Sequence, residues 1–551
     1  MWVFVQMGLW IWSAVAVIFF QACDGQSVFN PPPMVITVGV VVNGSAKIAE
    51  TYENFICATL DWWPPEKCDY GRCSWIQSSI LNLDLKNPSF AKAIQAFAPL
   101  KVRLGGTLQD KLLYDVGNLS QPCHPFMRNT SLMFGFSKGC LTMSRWDEVN
   151  RFLAKTGAMV MFGLNALYGR YQITKGHWGG AWDSSNARNL IQYTVDHGYK
   201  IYAWEYGNEL SGSGIGARVD ANVYASDIIE LNKILKEIYK HSHEKPLLVA
   251  PDGFFDPSWF QAILQETGPN ILNAVTRHIY NLGAGVDKNL TTKILNPSHL
   301  NKDAIKFRRM QDIVRKYGPW SSSWVGEAGG AFNSGQHLVS DAFINSFWYL
   351  DQLGMSATFD TKVYCRQSLI GGNYALLNVT TFEPNPDYYS ALLWHRLMGR
   401  TVLSNDFTGP TFLRSYAHCA KSDSGITLLL INLNGDTSID VNVSAYPNIT
   451  ESKKGQTAKE SFVHALKKFF SWAGSKTSDV KDYRMEYHLT AKDGDLHGQT
   501  MLLNGAILKL TEDGDIPPLN AVMVDATLPI SVAPFSIVFV SLPGISVPAC
   551  S

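Results

Sequence analysis

Between residues 54 and 360 the apolar positions fall into two alternating rhythms. Short apolar or β-branched runs read as strands: Asn54 to Leu60, Lys101 to Leu104, Ala158 to Leu164, a fourth that carries Glu209, Leu247 to Ala250, Ala274 to Tyr280, Trp324 to Glu327 and Ser356 to Phe359. Between them the spacing turns helical. Ile228, Ile229, Leu231, Ile234, Leu235 and Ile238 recur on one face across Val223 to Tyr239, as do Met310, Ile313 and Val314 within Phe307 to Tyr317. Strands alternating with helices predict an α/β fold, a (β/α)8 TIM barrel over residues 53–398, whose chemistry would sit at the carboxyl ends of its strands. An aromatic and glycine-rich loop, Tyr168 to Trp182, follows the third strand.

Beyond residue 399 the helical rhythm stops. Ile426 to Leu433, Ile439 to Val443, Met485 to Leu489, Met501 to Leu503 and Phe535 to Leu542 alternate with turns, including the hairpin signal Asn504-Gly505. Residues 399–551 are therefore expected to form a β-sandwich. Met34 to Val42 is another β-branched run, placed before the first barrel strand, so residues 26–52 are expected to return to that sandwich and make it discontinuous.

Of the 551 residues, 46% are hydrophobic and 17% charged, the balance of a folded globular chain. Lys plus Arg equals Asp plus Glu at 47 each, so no global field steers a nucleic acid or a highly sulfated polymer. Lys306 to Lys316 and Lys467-Lys468 come nearest to basic patches, and on an amphipathic helix such charges read as a solvated face.

Trp2 to Phe20 is almost wholly apolar and runs into the small residues around Ala22 and Gly25, the form of a signal peptide over residues 1–25, with an uncleaved anchor as the alternative. Asn43, Asn118, Asn129, Asn289, Asn378, Asn442 and Asn448 open glycosylation sequons that suit a secreted, extracellular (cell wall) or lysosomal and vacuolar protein. Nine cysteines become eight once Cys23 leaves with the leader, an even number for an oxidising compartment. Cys68 and Cys73 lack zinc-knuckle spacing and nearby histidines, so disulfides are expected rather than metal.

Two acidic stretches, Trp204 to Leu210 and Trp324 to Gly330, each bring a carboxylate to the end of a strand-like run. Glu209 and Glu327 stand about 118 residues apart, about three strand-helix units, which takes the chain from a fourth strand to a seventh. Two carboxyl groups on one barrel face suit retaining glycoside hydrolysis, one as proton donor and one as nucleophile, with no cofactor and no metal. Asn208 beside Glu209 is placed to bind a sugar hydroxyl as charge develops. Taken singly, either glutamate reads as an ordinary structural residue, and Arg103 reads equally as a charge carried to the site or a brace for the barrel.

Taken together, Arg103 to Thr107, Gly163 to Leu167, Trp204 to Glu209, Gly326-Glu327, Gly372-Asn373-Tyr374, Tyr487 to Thr490 and Leu502 to Gly505 make a distinctive ordered set. The chain resembles the heparanase family of retaining β-glucuronidases, closest to its plant heparanase-like members. The resemblance implies Glu209 as acid/base, Glu327 as nucleophile, Tyr280 as the phenol that orients the nucleophile, Gly372 and Tyr374 as a clamp on the uronate carboxylate, and Thr107 and Asn208 as sugar contacts. It implies a disulfide between Cys419 and Cys550; where animal members carry an excised linker, the corresponding region here, roughly Leu108 to Arg145, is short and holds Cys123 and Cys140, and a disulfide loop is the simpler reading. The chain departs from the family at Leu210, often proline, and at Cys57, where an aspartate of the animal enzymes is expected. The implied substrate is a β-linked glucuronic acid on wall glycans or a small-molecule conjugate. Peripheral membrane or cell-wall association is left open. A same-fold hydrolase of a neutral sugar and a wall carbohydrate-binding protein without turnover remain the alternatives.

Overall fold

The computed structural model describes residues 34–119, 122–421, 424–446 and 483–551. The expected leader, the sequon at Asn448 and the Lys467-Lys468 pair lie outside them. Eight strands, Ile56–Leu60, Lys101–Leu104, Met159–Leu164, Ala203–Tyr206, Leu247–Phe254, Ala274–Ile279, Ser322–Ala328 and Thr361–Arg366, pair in parallel, each with the next, and the eighth closes on the first. The expected eighth strand is displaced. Ser356 to Thr358 end the helix Phe343–Thr358, and the true strand begins at Thr361. That helix is buried from Phe343 to Ala357, so it has no polar stripe to mark its period. The aromatic loop after the third strand contains two short strands, Tyr171–Thr174 and His177–Gly179.

Side chains alternate across each strand, and the inward set fills the lower barrel with Cys57, Met161, Ala203, Val249, Ala274, Trp324, Val363 and Cys365. Cys57 and Cys365 face each other in register on the first and eighth strands and form a disulfide. Two positions along, the same alternation turns inward Arg103, Glu205 and, further up the sixth strand, His278, all fully or nearly fully buried. The outward set packs under helices such as Lys302–Tyr317, which buries Phe307, Met310 and Val314 and leaves Lys306, Arg308, Arg309, Arg315 and Lys316 exposed. The helix Pro257–Thr267 starts where Asp256 accepts the Trp259 amide and proline occupies the first turn.

The second domain is a folded-over sheet whose path runs through Met34–Asn43, which pairs in parallel with Thr437–Tyr446 and antiparallel with Met398–Phe407. Asn504 and Gly505, both at positive φ, join Met501–Leu503 to Ala506–Ile507 as a tight hairpin. The strand Ile426–Asn432 is buried on both faces. Leu428 and Leu430 enter the core of the second domain with Val38, Val40 and Val540, while Leu429 and Ile431 join the barrel's own core. Asp351 of the buried barrel helix accepts from Arg414 at 2.7 Å and Tyr416 at 2.6 Å, so polar contacts fix the same junction. Disulfides join Cys68 to Cys73, Cys123 to Cys140 and Cys419 to Cys550.

Candidate active site

The turn after the fourth strand delivers Glu209. Gly207 adopts φ 70°, a left-handed conformation in which a Cβ would be strained, and would lie 2.9 Å from the Tyr224 hydroxyl. Glu209 itself sits at φ 55°, sparsely allowed for a residue with a side chain. Two hydrogen bonds hold the turn there: the Asn208 amide donates to Asp110 at 2.9 Å and the Glu209 amide to the Asp252 carbonyl at 2.8 Å.

Glu327 reaches the same cleft by a different route. Trp324 points into the barrel, so strict alternation would turn Gly326 inward and Glu327 outward. The register between the sixth and seventh strands slips at this point: Arg277 pairs with Val325 and His278 with Glu327. This irregularity turns the Glu327 carboxylate into the cleft. Gly326 has no room for a side chain, because a Cβ there would fall 1.5 Å from Asp252 Oδ1.

One carboxylate oxygen from each glutamate and a ring nitrogen of His278 lie within 4.8 Å of one another. Both Glu327 oxygens are held: Tyr280 donates to Oε1 at 2.5 Å and Arg103 to Oε2 at 2.8 Å. Arg103 also forks onto Glu205 at 2.9 Å, donates to Asn208 Oδ1 at 2.8 Å and pairs with Asp252. Of its two sequence readings, the charge carried to the site is the one realised. His278 places Nδ1 2.9 Å from Glu209 Oε1 and 3.9 Å from Glu327 Oε1, with Nε2 3.1 Å from Asp252.

Protonation follows from these contacts. Burial raises the Glu209 carboxyl above its ordinary range, and the hydrogen bond and charge of His278 oppose that rise without cancelling it. Burial alone would neutralise His278, but Asp252 and Glu327 outweigh it and hold the imidazolium well above its usual value. Burial would likewise push Asp252 up, yet Arg103 and His278 bring it down to about 2. Burial drives Glu205 up to about 8 against the pull of Arg103. Among the described residues Glu209, His278 and Glu327 are the one group with metal-ligand spacing, but His278 turns both ring nitrogens towards carboxylates.

The opposite side of the cleft, from the eighth, first and second strands, carries the remaining expected residues. Tyr374 is buried, with its ring 6.5 Å from that of Tyr280; Gly329 permits this approach, since a Cβ there would lie 2.8 Å from one ring and 3.0 Å from the other. The Gly372 amide donates to the Ser74 carbonyl at 3.1 Å, so the carboxylate contact expected of it requires that bond to be shared or given up. Thr107, half-buried, opens a 3-10 turn after Gly106.

Sequence reasoning missed Asp61 and looked for the corresponding acid at Cys57. Cys57 lies in the lower barrel, whereas Asp61, two alternations higher, accepts from Gln367 at 3.0 Å and the Trp62 amide at 2.6 Å. Burial and the neighbouring Glu327 charge raise it to about 7. A Cβ at Gly106 would strike its carboxylate at 2.4 Å, so the bare glycine makes space for it. Glu205, Asp252 and His278 were missed as partners, although period-two spacing from Ala203 and Ala274 points Glu205 and His278 inward.

Sequence comparisons give the family. The profile described as "Glycosyl hydrolase family 79, N-terminal domain" matches residues 37–354. The chain is 53% identical to heparanase-like protein 1 of Arabidopsis thaliana over 516 residues, covering 93% of this chain and 94% of that one. It is 44% identical to baicalin-beta-D-glucuronidase of Scutellaria baicalensis, covering 90% of each. In fold it is similar to a 4-O-alpha-L-rhamnosyl-beta-D-glucuronidase from Fusarium oxysporum, with a TM-score of 0.62 at 14% identity, over 92% of this chain and all of that one. The profile match and the extent of the plant similarity place this chain in glycosyl hydrolase family 79.

Proposed function

We propose that the chain is a retaining β-glucuronidase acting by double displacement. The observation that carries this reading is the approach of Glu209 and Glu327 to within 4.8 Å, close to the about 5–5.5 Å of retaining pairs and well short of the inverting spacing. Glu209, with its raised pKa, protonates the leaving oxygen. Glu327, oriented by Tyr280 and Arg103, attacks the anomeric carbon, and Glu209 then takes the proton from the water that releases the sugar. Asn208 is a sugar contact whose Oδ1 is fixed by Arg103.

The uronate preference rests on Tyr374 and on the plant relative whose name specifies a glucuronidase. Secretion and glycosylation complete the proposal: Asn43, Asn118, Asn129, Asn289 and Asn442 are exposed, and Asn378 is half-buried. Hydrolysis of a chromogenic β-glucuronide beside the matching β-glucoside, with the first-formed anomer followed by NMR, tests it. A β-anomeric glucuronic acid product and little glucoside turnover are expected. Glu209→Ala should lower kcat on a poor leaving group by about 10²–10⁴-fold. Faster turnover of the glucoside would transfer the proposal to a neutral-sugar hydrolase.

A further inference from the structure

A cavity of about 400 Å³, within the about 300–1,000 Å³ usual for small-molecule sites, is lined by His278 and Tyr280, the residues that contact Glu209 and Glu327. Ser213 and Ile215, from the loop that follows Glu209, form one wall, and Phe254 and Phe255, at and just after the end of the fifth strand, another. Tyr280 and Arg277 of the sixth-strand region complete it. All of these come from the side of the barrel that bears Glu209. Asp61, Thr107 and Tyr374 come from the other side. A group whose oxygen is protonated by Glu209 departs on Glu209's side, so this cavity receives the leaving group, an assignment that rests on the glucuronidase reading above.

The walls define its chemistry. Phe254 stands 6.1 Å from the His278 ring and 6.3 Å from Tyr280, making an aromatic surface at the mouth. Arg277 faces away from the barrel interior and is 1% exposed; its guanidinium lies 4.0 Å from the Phe307 ring centre and 5.9 Å from that of Phe255. Its Nε and Nη2 have no hydrogen-bond partner. Asp303, the nearest carboxylate on the packed helix, instead accepts from Gln352 at 3.2 Å and lies 3.9 Å from Lys306. Arg277 and Lys306 therefore line the cavity against one carboxylate, Asp303, while the His278 ring nitrogens are already turned to Glu209 and Asp252. Buried guanidinium groups ordinarily have a planar acceptor.

We propose that the leaving group is a phenol carrying a carboxylate or a similar planar anionic substituent, its ring against Phe254 and Phe255 and its anion on Arg277. The test compares 4-carboxyphenyl and 4-carbamoylphenyl β-D-glucuronides, alike in shape and different in charge. The wild type should favour the carboxylate in kcat/KM by about tenfold or more, the factor for a hydrogen bond to a charged group. Arg277→Gln should bring that ratio close to unity. A wild-type ratio near unity overturns the proposal, as does an unchanged ratio in a folded Arg277→Gln protein. Calorimetric binding of 4-hydroxybenzoate and 4-hydroxybenzamide to the wild type gives the same comparison without turnover or substitution. If the benzoate binds about tenfold tighter but neither glucuronide is cleaved, the site stands and the glucuronidase reading fails. Equal binding removes the site whatever the activity.

Discussion

His278 donates from Nδ1 towards Glu209 Oε1 across 2.9 Å while its other nitrogen faces Asp252 at 3.1 Å. The proposed proton donor is thus held by a cation that is itself pinned by an anion. Burial raises the Glu209 pKa and His278 opposes the rise, so the alkaline limb of activity, which reports protonated Glu209, should decline as pH climbs through the raised value. Removing the opposing cation with His278→Gln should raise the Glu209 pKa further and move the alkaline limb of kcat/KM to higher pH. A downward shift of that limb would contradict the assignment.

Gly326 supplies a second prediction, because its missing side chain is space used by Asp252. Gly326→Ala must displace the Asp252 carboxylate, and with it the partner of both Arg103 and His278. Overpacking of this kind costs about 1–3 kcal/mol, which a thermal melt should register as a modest loss. The larger effect should fall on kcat, by about tenfold or more, with KM little altered. Wild-type kcat in the alanine variant would show that the Asp252 position is irrelevant to turnover.

Tyr374 should separate the two sugar classes. If its hydroxyl donates to the uronate carboxylate, Tyr374→Phe should reduce kcat/KM on a glucuronide by about 1.5–3 kcal/mol and leave the slow glucoside reaction nearly unchanged. Since the Gly372 amide is donated to Ser74, Tyr374 should carry most of this discrimination. Equal losses on both sugars would reduce Tyr374 to a shaping role.

The Cys419–Cys550 bridge spans 131 residues of sequence and closes the end of the chain onto the second domain. Replacing both cysteines by serine should lower unfolding free energy by about 2–5 kcal/mol, with activity of the remaining folded protein retained. Denaturant titration measures the loss. Non-reducing peptide maps should recover this pair linked.

The barrel was legible because most of its strands are short apolar runs set between amphipathic helices, and seven of the expected eight positions coincide with observed strands. The eighth failed for a physical reason. The helix Phe343–Thr358 is enclosed on all sides, so its sequence carries no polar period, and its last residues look like any apolar run. Glu209 and Glu327 could be named from sequence, but the register slip that turns Glu327 inward could not, because it depends on pairing between strands. The same applies to Asp252, which reaches the cleft from a residue at φ 49° in an irregular stretch of the fifth strand. Asp61 was readable in principle, two alternations beyond an inward-facing Cys57. Arg277 gave no signal at all, since its meaning lies in the aromatic rings and unpartnered nitrogens around it.

The N-terminal strand Met34–Asn43 has a consequence for the order in which the protein can be made. Its partners Met398–Phe407 and Thr437–Tyr446 follow the whole barrel. At about 5–20 residues per second, Thr437 leaves the ribosome about 20–80 seconds after Met34, with about 400 residues between them. Until Met398–Phe407 emerges, shortly before Thr437, Val38, Val40 and Val42 have no sheet to enter, although each ends up buried. The barrel can close while its own leading segment is still an unpaired β-strand, the kind of edge that invites association with other chains. Nascent protein halted before residue 398 should therefore be more prone to aggregate than the same fragment begun after Asn43.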